Sequence, residues 1–169
     1  LDFVVSFILL IVLLPIFLLT IILIFLFMGK PIFFIQPRLG KNKKVFKIIK
    51  FRTLNNIGKS QIEYENDDKR VTKLGSFLRK TSLDELPNLY NIIKGDMSFI
   101  GPRPLLVRYK DGFNPYFDLR HTVKPGITGF AQIKGRTNIS WRNRFRYDVF
   151  YSKNISLRLD FYIFLRTVK

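Results

Sequence analysis

The chain has 169 residues, with 29 Lys+Arg against 12 Asp+Glu and a formal net charge of +17. That length holds one domain with a modest core, and that charge points to an anionic partner: lipid head groups, nucleic acid or a phosphorylated substrate. With no cysteine and a single His121, disulfides, cysteine-ligated metals and multi-histidine zinc sites are excluded. His121 lies between Arg120 and Lys124 and is expected at the surface. A first residue Leu1 in place of Met suggests that the natural start lies upstream.

From Phe3 to Met28 no residue is charged, and Ser6, Pro15 and Thr20 alone break the apolar run. The stretch exceeds the roughly 20 residues that cross a bilayer core and lacks the cleavage site of a signal peptide. It is therefore expected to enter the membrane. Pro15 removes the hydrogen bond to the Ile11 carbonyl and bends the helix, which fits either a kinked span or a re-entrant hairpin. Every basic residue lies at or after Lys30. The positive-inside rule puts that side in the cytoplasm, where Lys30, Arg38, Lys41, Lys43, Lys44 and Lys47 face anionic head groups. The expected division is a membrane-inserted helix or hairpin over 1–29 and a cytoplasmic domain over 30–169.

Ile32 to Gln36 and Val45 to Phe51 read as short strands joined by a turn at Pro37–Asn42, a hairpin. Lys50 and Arg52 close the second strand, and a solvated strand end explains them equally well. Asn55 to Arg70 reads as a polar loop. Its Glu63, Glu65, Asp67 and Asp68 fit no calcium-loop spacing. Val71 to Lys80 has Leu74, Phe77 and Leu78 at helical spacing and leads into Thr81-Ser82-Leu83-Asp84-Glu85-Leu86-Pro87-Asn88. Leu86, Leu89, Tyr90 and Ile93 predict a helix over Glu85–Lys94, with Asp84 at the N-cap, Pro87 in the first turn and Gly95 just past the last. The positive end of that helix would hold Asp84 ionised and attract phosphate, with Arg79 and Lys80 adding charge. An ionised carboxylate there is a candidate nucleophile for phosphorus; the same pattern also serves as a plain helix cap.

In Gly101-Pro102-Arg103-Pro104, two prolines hold Arg103 extended, ready to present its planar donor fork to a phosphate. Lys124-Pro125-Gly126-Ile127-Thr128-Gly129 is a turn able to bring backbone N–H groups close to a ligand. Phe130 to Lys134 reads as a strand ended by Gly135-Arg136, and Ser140 to Asn154 as a helix. Leu157, Phe161, Phe164, Leu165 and Val168 share a helical face that suits either the membrane interface or the core. The fold class expected is α+β: a membrane-inserted, Pro-broken, re-entrant helix, then a compact cytoplasmic domain of short strands and amphipathic interface helices. No P-loop or dinucleotide glycine loop is present.

Asp2 before the Pro-broken apolar segment, Gln36–Gly40, Phe46–Thr53, Arg79–Asn91, Gly95–Pro104, Lys124–Gly129, and Tyr147-Asp148 with Tyr151 together resemble the bacterial sugar transferases, the small monotopic phosphoglycosyl transferases. The resemblance covers nearly the whole chain. It implies transfer of a sugar 1-phosphate from a UDP-sugar to undecaprenyl phosphate, with release of UMP, at the cytoplasmic face of the bacterial inner membrane. It implies Asp84 as the nucleophile that forms a covalent phosphosugar intermediate and also helps hold Mg²⁺, with Glu85 completing the dyad. Arg79 and Arg103 resemble phosphate ligands, Lys50 a basic residue near the active site, and Arg136 a residue facing the nucleotide. The family's usual Lys-Arg pair lies just before the position of Asp2, where the given sequence begins too late to show it; the chain departs from the family pattern where Leu14 in place of Ser precedes Pro15.

Membrane lipid is the further partner implied, and a homo-oligomer is left open. Competing readings are an inactive scaffold of the same pathway, a lipid-linked phosphatase, and a membrane-anchored basic nucleic-acid binder. No nucleic-acid-binding motif supports the last, and nucleic acid is not an expected partner.

Overall fold

The computed structural model describes residues 2–55, 70–112, 114–135 and 139–168. Two apolar helices open the chain, α1 (Asp2–Val12) and α2 (Leu14–Met28), bent by 62° at the break between them. The bend falls where Pro15 cannot donate, while the neighbouring bonds Leu13 N–H to Leu9 O (2.9 Å) and Phe17 N–H to Leu13 O (2.9 Å) are kept. The two hydroxyls in the apolar run bond back to their own helices: Ser6 Oγ to Asp2 O at 2.7 Å, Thr20 Oγ1 to Ile16 O at 2.8 Å. Among the described residues no single helix is long and apolar enough to cross a membrane; the bent pair together has the length and composition.

Strand β1 (Phe33–Leu39) pairs antiparallel with β2 (Val45–Phe51), from Phe33 opposite Phe51 to Leu39 opposite Val45. The predicted hairpin is present, but Pro37, Arg38 and Leu39 belong to β1 and not to the turn. Pro37 is tolerated there because the next strand covers β1 only at Arg38 and Leu39. The chain reverses over Gly40–Lys44, where Asn42 and Lys43 take positive φ (53° and 58°). Helix α3 (Lys73–Lys80) follows, capped by Thr72, whose Oγ1 accepts from Gly75 N–H at 2.8 Å. A 3₁₀ turn (Leu83–Glu85) leads to α4 (Asn88–Ile93). Strand β3 (Ser98–Ile100) lies parallel to the later β5 (Gly126–Thr128), and β4 (Leu105–Leu106) completes the sheet in the order β2-β1-β4. Helices α5 (Pro115–Asp118), α6 (Phe130–Gly135), α7 (Trp141–Lys153) and α8 (Leu157–Val168) complete a mixed helix-and-sheet architecture.

Both N-terminal helices return onto this body. Leu9 and Leu10 of α1 pack on the buried cluster of Phe46, Ile48, Leu89, Ile92 and Met97. Ile24 of α2 joins Phe51 and Leu78, with Phe17 and Ile21 packed around them. Arg52, 6% exposed, holds the end of α2: it donates to the carbonyls of Met28, Gly29 (2.7 Å) and Lys30 (3.4 Å). Three of the last orphan carbonyls of a helix thus meet a guanidinium. Arg52 is therefore a buried clamp and not a solvated strand end.

Two further expectations are corrected, and the glycines of the Lys124–Gly129 stretch gain a packing role. The stretch Phe130–Lys134 is helical, not a strand; the Phe130 ring packs against Tyr147 and Phe150 of α7, and this packing outweighs its β-propensity. His121 is buried at 5% exposure, not at the surface. Gly126 and Gly129 serve close strand contact: a Cβ on Gly126 would stand 2.1 Å from Gly101 N, and one on Gly129 2.1 Å from Gly101 O. In α8, Ile163 is fully buried whereas Leu157, Phe161, Phe164 and Leu165 are exposed. The acidic loop residues Glu63, Glu65, Asp67 and Asp68 lie outside the described residues.

Candidate active site

Alternation along β2 turns Phe46, Ile48 and Lys50 to one face. The first two are buried under α4, and the third, at the end of the row, meets the turn that precedes α4. There Lys50 Nζ donates to Glu85 Oε1 in an ion pair whose side chains are 17% and 20% exposed. The lysine predicted to lie near the dyad is thus tied to it.

Asp84 sits in the 3₁₀ turn, half-buried, and does not cap α4 as the sequence led us to expect. Ser82 takes a left-handed conformation (φ 58°) and starts the turn, and Pro87 occupies the N-cap position of α4 without a side-chain cap. Leu86 and Pro87 keep helical dihedrals, so the backbone winds on without the extended residue that a capping Asp requires. The electrostatic expectation changes with it. Burial pushes the Asp84 carboxyl above its usual range, the neighbouring Glu85 charge adds to this, and the Lys50 and Arg79 cations oppose it. Among the described residues no side chain donates a hydrogen bond to the Asp84 carboxylate, which leaves its oxygens available.

Arg79 lies in the last turn of α3, and its Nε donates to Thr53 Oγ1 at 3.0 Å, fixing it beside the end of β2. Gly75 lets α3 approach that strand end, since a Cβ there would stand 2.0 Å from Thr53 O. Arg103 is exposed between its two prolines. Its carbonyl is held by Arg120 Nη2 at 2.8 Å. Arg120 in turn binds Asp148 Oδ2 through Nε (3.1 Å) and Nη2 (2.7 Å), both side chains 1% exposed. Burial pushes the Asp148 carboxyl up and the Arg120 charge opposes it. A buried pair of this kind positions more than it stabilises; here it fixes the backbone of Arg103.

Lys50, Glu85 and Arg103 converge on a small cavity that opens to solvent, lined also by Arg38, Asn88 and Gly126. Arg38 reaches it from β1, donating to Pro104 O at 3.2 Å and Gln36 Oε1 at 2.6 Å. The structure thus unites Lys50, Glu85 and Arg103 in one cavity, places Asp84 next to Glu85, and sets Arg79 close enough for its charge to reach Asp84. Arg136 lies outside the described residues. Sequence reasoning did not single out Arg38, Asn88, Arg120 or Asp148 as site residues. The inward alternation of β1 was the one available signal, for Arg38; the others become visible only through contacts distant in sequence.

No group of three His, Asp or Glu side chains among the described residues forms a ready metal cage. Mg²⁺ is commonly held by one or two carboxylates, with waters and substrate phosphates filling the rest. A half-buried Asp84 without a side-chain donor, beside Glu85, fits that kind of donor set.

The family model for "Bacterial sugar transferase" matches residues 1–169. The uncharacterized sugar transferase EpsL of Bacillus subtilis (strain 168) is 47% identical over 150 residues, covering 89% of this chain and 74% of EpsL. The UDP-N-acetylgalactosamine-undecaprenyl-phosphate N-acetylgalactosaminephosphotransferase of Aeromonas hydrophila is 39% identical over 92% of this chain. The UDP-glucose:undecaprenyl-phosphate glucose-1-phosphate transferase of Klebsiella pneumoniae is also 39% identical, over 99% of it. The chain spans only 38% of the length of each of these two larger relatives. Matched along its whole length by the family model and closely related to proteins of that kind, the chain belongs to the bacterial sugar transferase family.

Proposed function

We propose that this chain transfers a sugar 1-phosphate from a UDP-sugar to undecaprenyl phosphate and releases UMP, at the cytoplasmic face of a bacterial inner membrane. The observation that carries the reading is the cavity that gathers Lys50, Arg103 and Arg38 around Glu85, next to an Asp84 carboxylate with no side-chain donor on it. Phosphoryl transfer needs positioning and charge neutralisation above all, and the three cations supply both. The names of the Aeromonas and Klebsiella relatives, which specify undecaprenyl phosphate and a UDP-sugar, support the substrate classes.

The chemistry runs in two displacements. A carboxylate oxygen of Asp84 attacks the sugar-bearing phosphorus, the bond to the bridging oxygen breaks, and UMP leaves with that oxygen. A phosphate oxygen of undecaprenyl phosphate then attacks the same phosphorus and expels the Asp84 carboxylate, giving the sugar on a lipid diphosphate. Such a sequence is ping-pong. Glu85, held by Lys50, positions the dyad; Arg103, held by Arg120, and Arg79 bind phosphate oxygens. Asp84, with the substrate phosphates, would hold Mg²⁺, which would supply charge neutralisation on the transferring group.

The N-terminal hairpin and the exposed apolar face of α8 bring this chemistry to the lipid. Both helices of the hairpin pack on the catalytic body: Leu9 and Leu10 of α1 on the cluster around Phe46, and α2 through Ile24 and through its end, which Arg52 holds. That arrangement supports a re-entrant segment over 1–29 and a cytoplasmic domain over 30–169.

The test is UMP release by detergent-purified protein with Mg²⁺, undecaprenyl phosphate and a panel of UDP-sugars. Asp84→Asn is expected to cut release by roughly 10⁴-fold or more. A variant that turns over at the wild-type rate would sink the covalent mechanism.

A further inference from the structure

Asn88 is 1% exposed and lines the cavity, yet neither its Oδ1 nor its Nδ2 meets a hydrogen-bond partner among the described residues. A buried carboxamide left this way destabilises the fold, and native interiors keep few of them. Its neighbour one turn on supplies the contrast. Asn91, also 1% exposed, donates from Nδ2 to Lys47 O at 2.8 Å and ties α4 to β2. Asn91 is structural, whereas Asn88 performs no such task in the fold.

The chemistry of the amide restricts what completes it. Nδ2 donates and Oδ1 only accepts. An ionised phosphate oxygen has no proton to give to Oδ1, and Lys50 makes no hydrogen bond to it. A single partner that completes the amide both donates and accepts, as a hydroxyl, an acetamido group or a water does. Position narrows it further. The backbone is helical from Leu86 onward, so Asn88 lies one turn after Glu85 on the same side. On the transferase reading the sugar hangs directly on the reacting phosphorus, whereas the nucleobase lies beyond the second phosphate, so a group beside the dyad is nearer to the sugar.

We propose that Asn88 is a specificity-determining residue that hydrogen-bonds the sugar of the donor through a hydroxyl or acetamido group. The inference rests on the transferase reading above and names the part of the donor that this side chain recognises.

The test uses the full chain in detergent with the variants Asn88→Leu, Asn88→Ala and Asn91→Leu. Melting is measured without substrates, and UMP release with the UDP-sugar that the wild type uses. Asn88→Leu is expected to melt at or above the wild-type temperature, because an apolar group replaces an unmet polar one. Asn91→Leu is expected to melt lower. KM for the UDP-sugar should rise about tenfold or more in both Asn88 variants, equivalent to one lost interaction of about 1.4 kcal/mol, while the inhibition constant of the product UMP stays unchanged. An Asn88→Leu protein that melts lower, as Asn91→Leu does, with an unchanged KM, would make Asn88 structural and overturn the proposal. UMP inhibition weakened as much as donor binding would assign the contact to the nucleotide and overturn it too. A folded wild type that releases no UMP with any donor would overturn the transferase reading first; an active wild type with unaffected Asn88 variants overturns this proposal alone.

Discussion

At the scale of single residues, the site works against the burial of its own charges. Desolvation raises the Asp84 carboxyl, and Lys50 and Arg79 pull it back. If Asp84 attacks as the anion, kcat/KM for the UDP-sugar falls as pH drops through this raised value, and the acid limb lies above the ordinary carboxylate range of about 4. Lys50→Met removes the cation with the largest opposing effect, so the limb should move to still higher pH as the maximal rate drops. A limb that stays in place would show that another group titrates. The same variant leaves Glu85 without its partner in a mostly buried position, a cost of roughly 1–3 kcal/mol in denaturant melts. His121 behaves in the opposite sense. Burial, with the adjacent Arg120 charge, lowers it from 6.5 to about 4, so the folded protein keeps it neutral where the unfolded chain binds a proton. Its contribution to stability is complete above pH 6.5 and is lost as pH falls towards 4, by roughly 3 kcal/mol at most. Melting temperatures of wild type and His121→Gln should therefore converge on acidification; parallel curves would contradict the assignment.

At the scale of elements, the site depends on how closely α3 can lie against the end of β2. Gly75 sets that distance, since any Cβ collides with the Thr53 carbonyl. Gly75→Ala must push α3 away, loosening the Arg79–Thr53 bond and the packing of Leu78, with a loss of about 1–3 kcal/mol. Activity should fall more than stability accounts for, because Arg79 moves with the helix; full activity in a folded Gly75→Ala protein would remove Arg79 from the site. Much of this layer was legible beforehand. The hairpin, the helices over Lys73–Lys80 and Trp141–Lys153, and the left-handed Gly95 followed from alternation, helical spacing and glycine chemistry. What was not legible depended on distant partners. The capping role expected of Asp84 required an extended residue that the turn after Ser82 does not supply. The helix at Phe130 depends on rings in α7, and the burial of Arg52 and His121 on carbonyls and side chains far away in the sequence. The chemistry itself was easier to see, because Lys50, Glu85 and Arg103 each stand in a short motif whose backbone restricts where the side chain points.

At the scale of the whole molecule, a chain with a net charge of +17 also carries exposed apolar residues along α1, α2 and α8, among them Val12, Leu26, Phe27, Leu157 and Phe161. Charge alone would hold the protein on anionic lipid only at low salt, since the Debye length shrinks to about 3 Å at 1 M. The apolar helices make a different prediction: vesicle binding that survives high salt, with the cations adding a salt-sensitive part only on anionic lipid. The path of the hairpin is separable from its insertion. A spanning segment puts Asp2 and Lys44 on opposite sides of the membrane; a re-entrant one puts both on one side, the cytoplasmic side in the proposed reading. The chain has no native cysteine, so Asp2→Cys and Lys44→Cys each carry a single label site. With a membrane-impermeant maleimide, both should react in inverted membrane vesicles and neither in intact spheroplasts. Labelling of the Asp2 variant in spheroplasts would establish a span, and would require α1 to leave the cluster of Phe46, Leu89 and Met97 on which it packs.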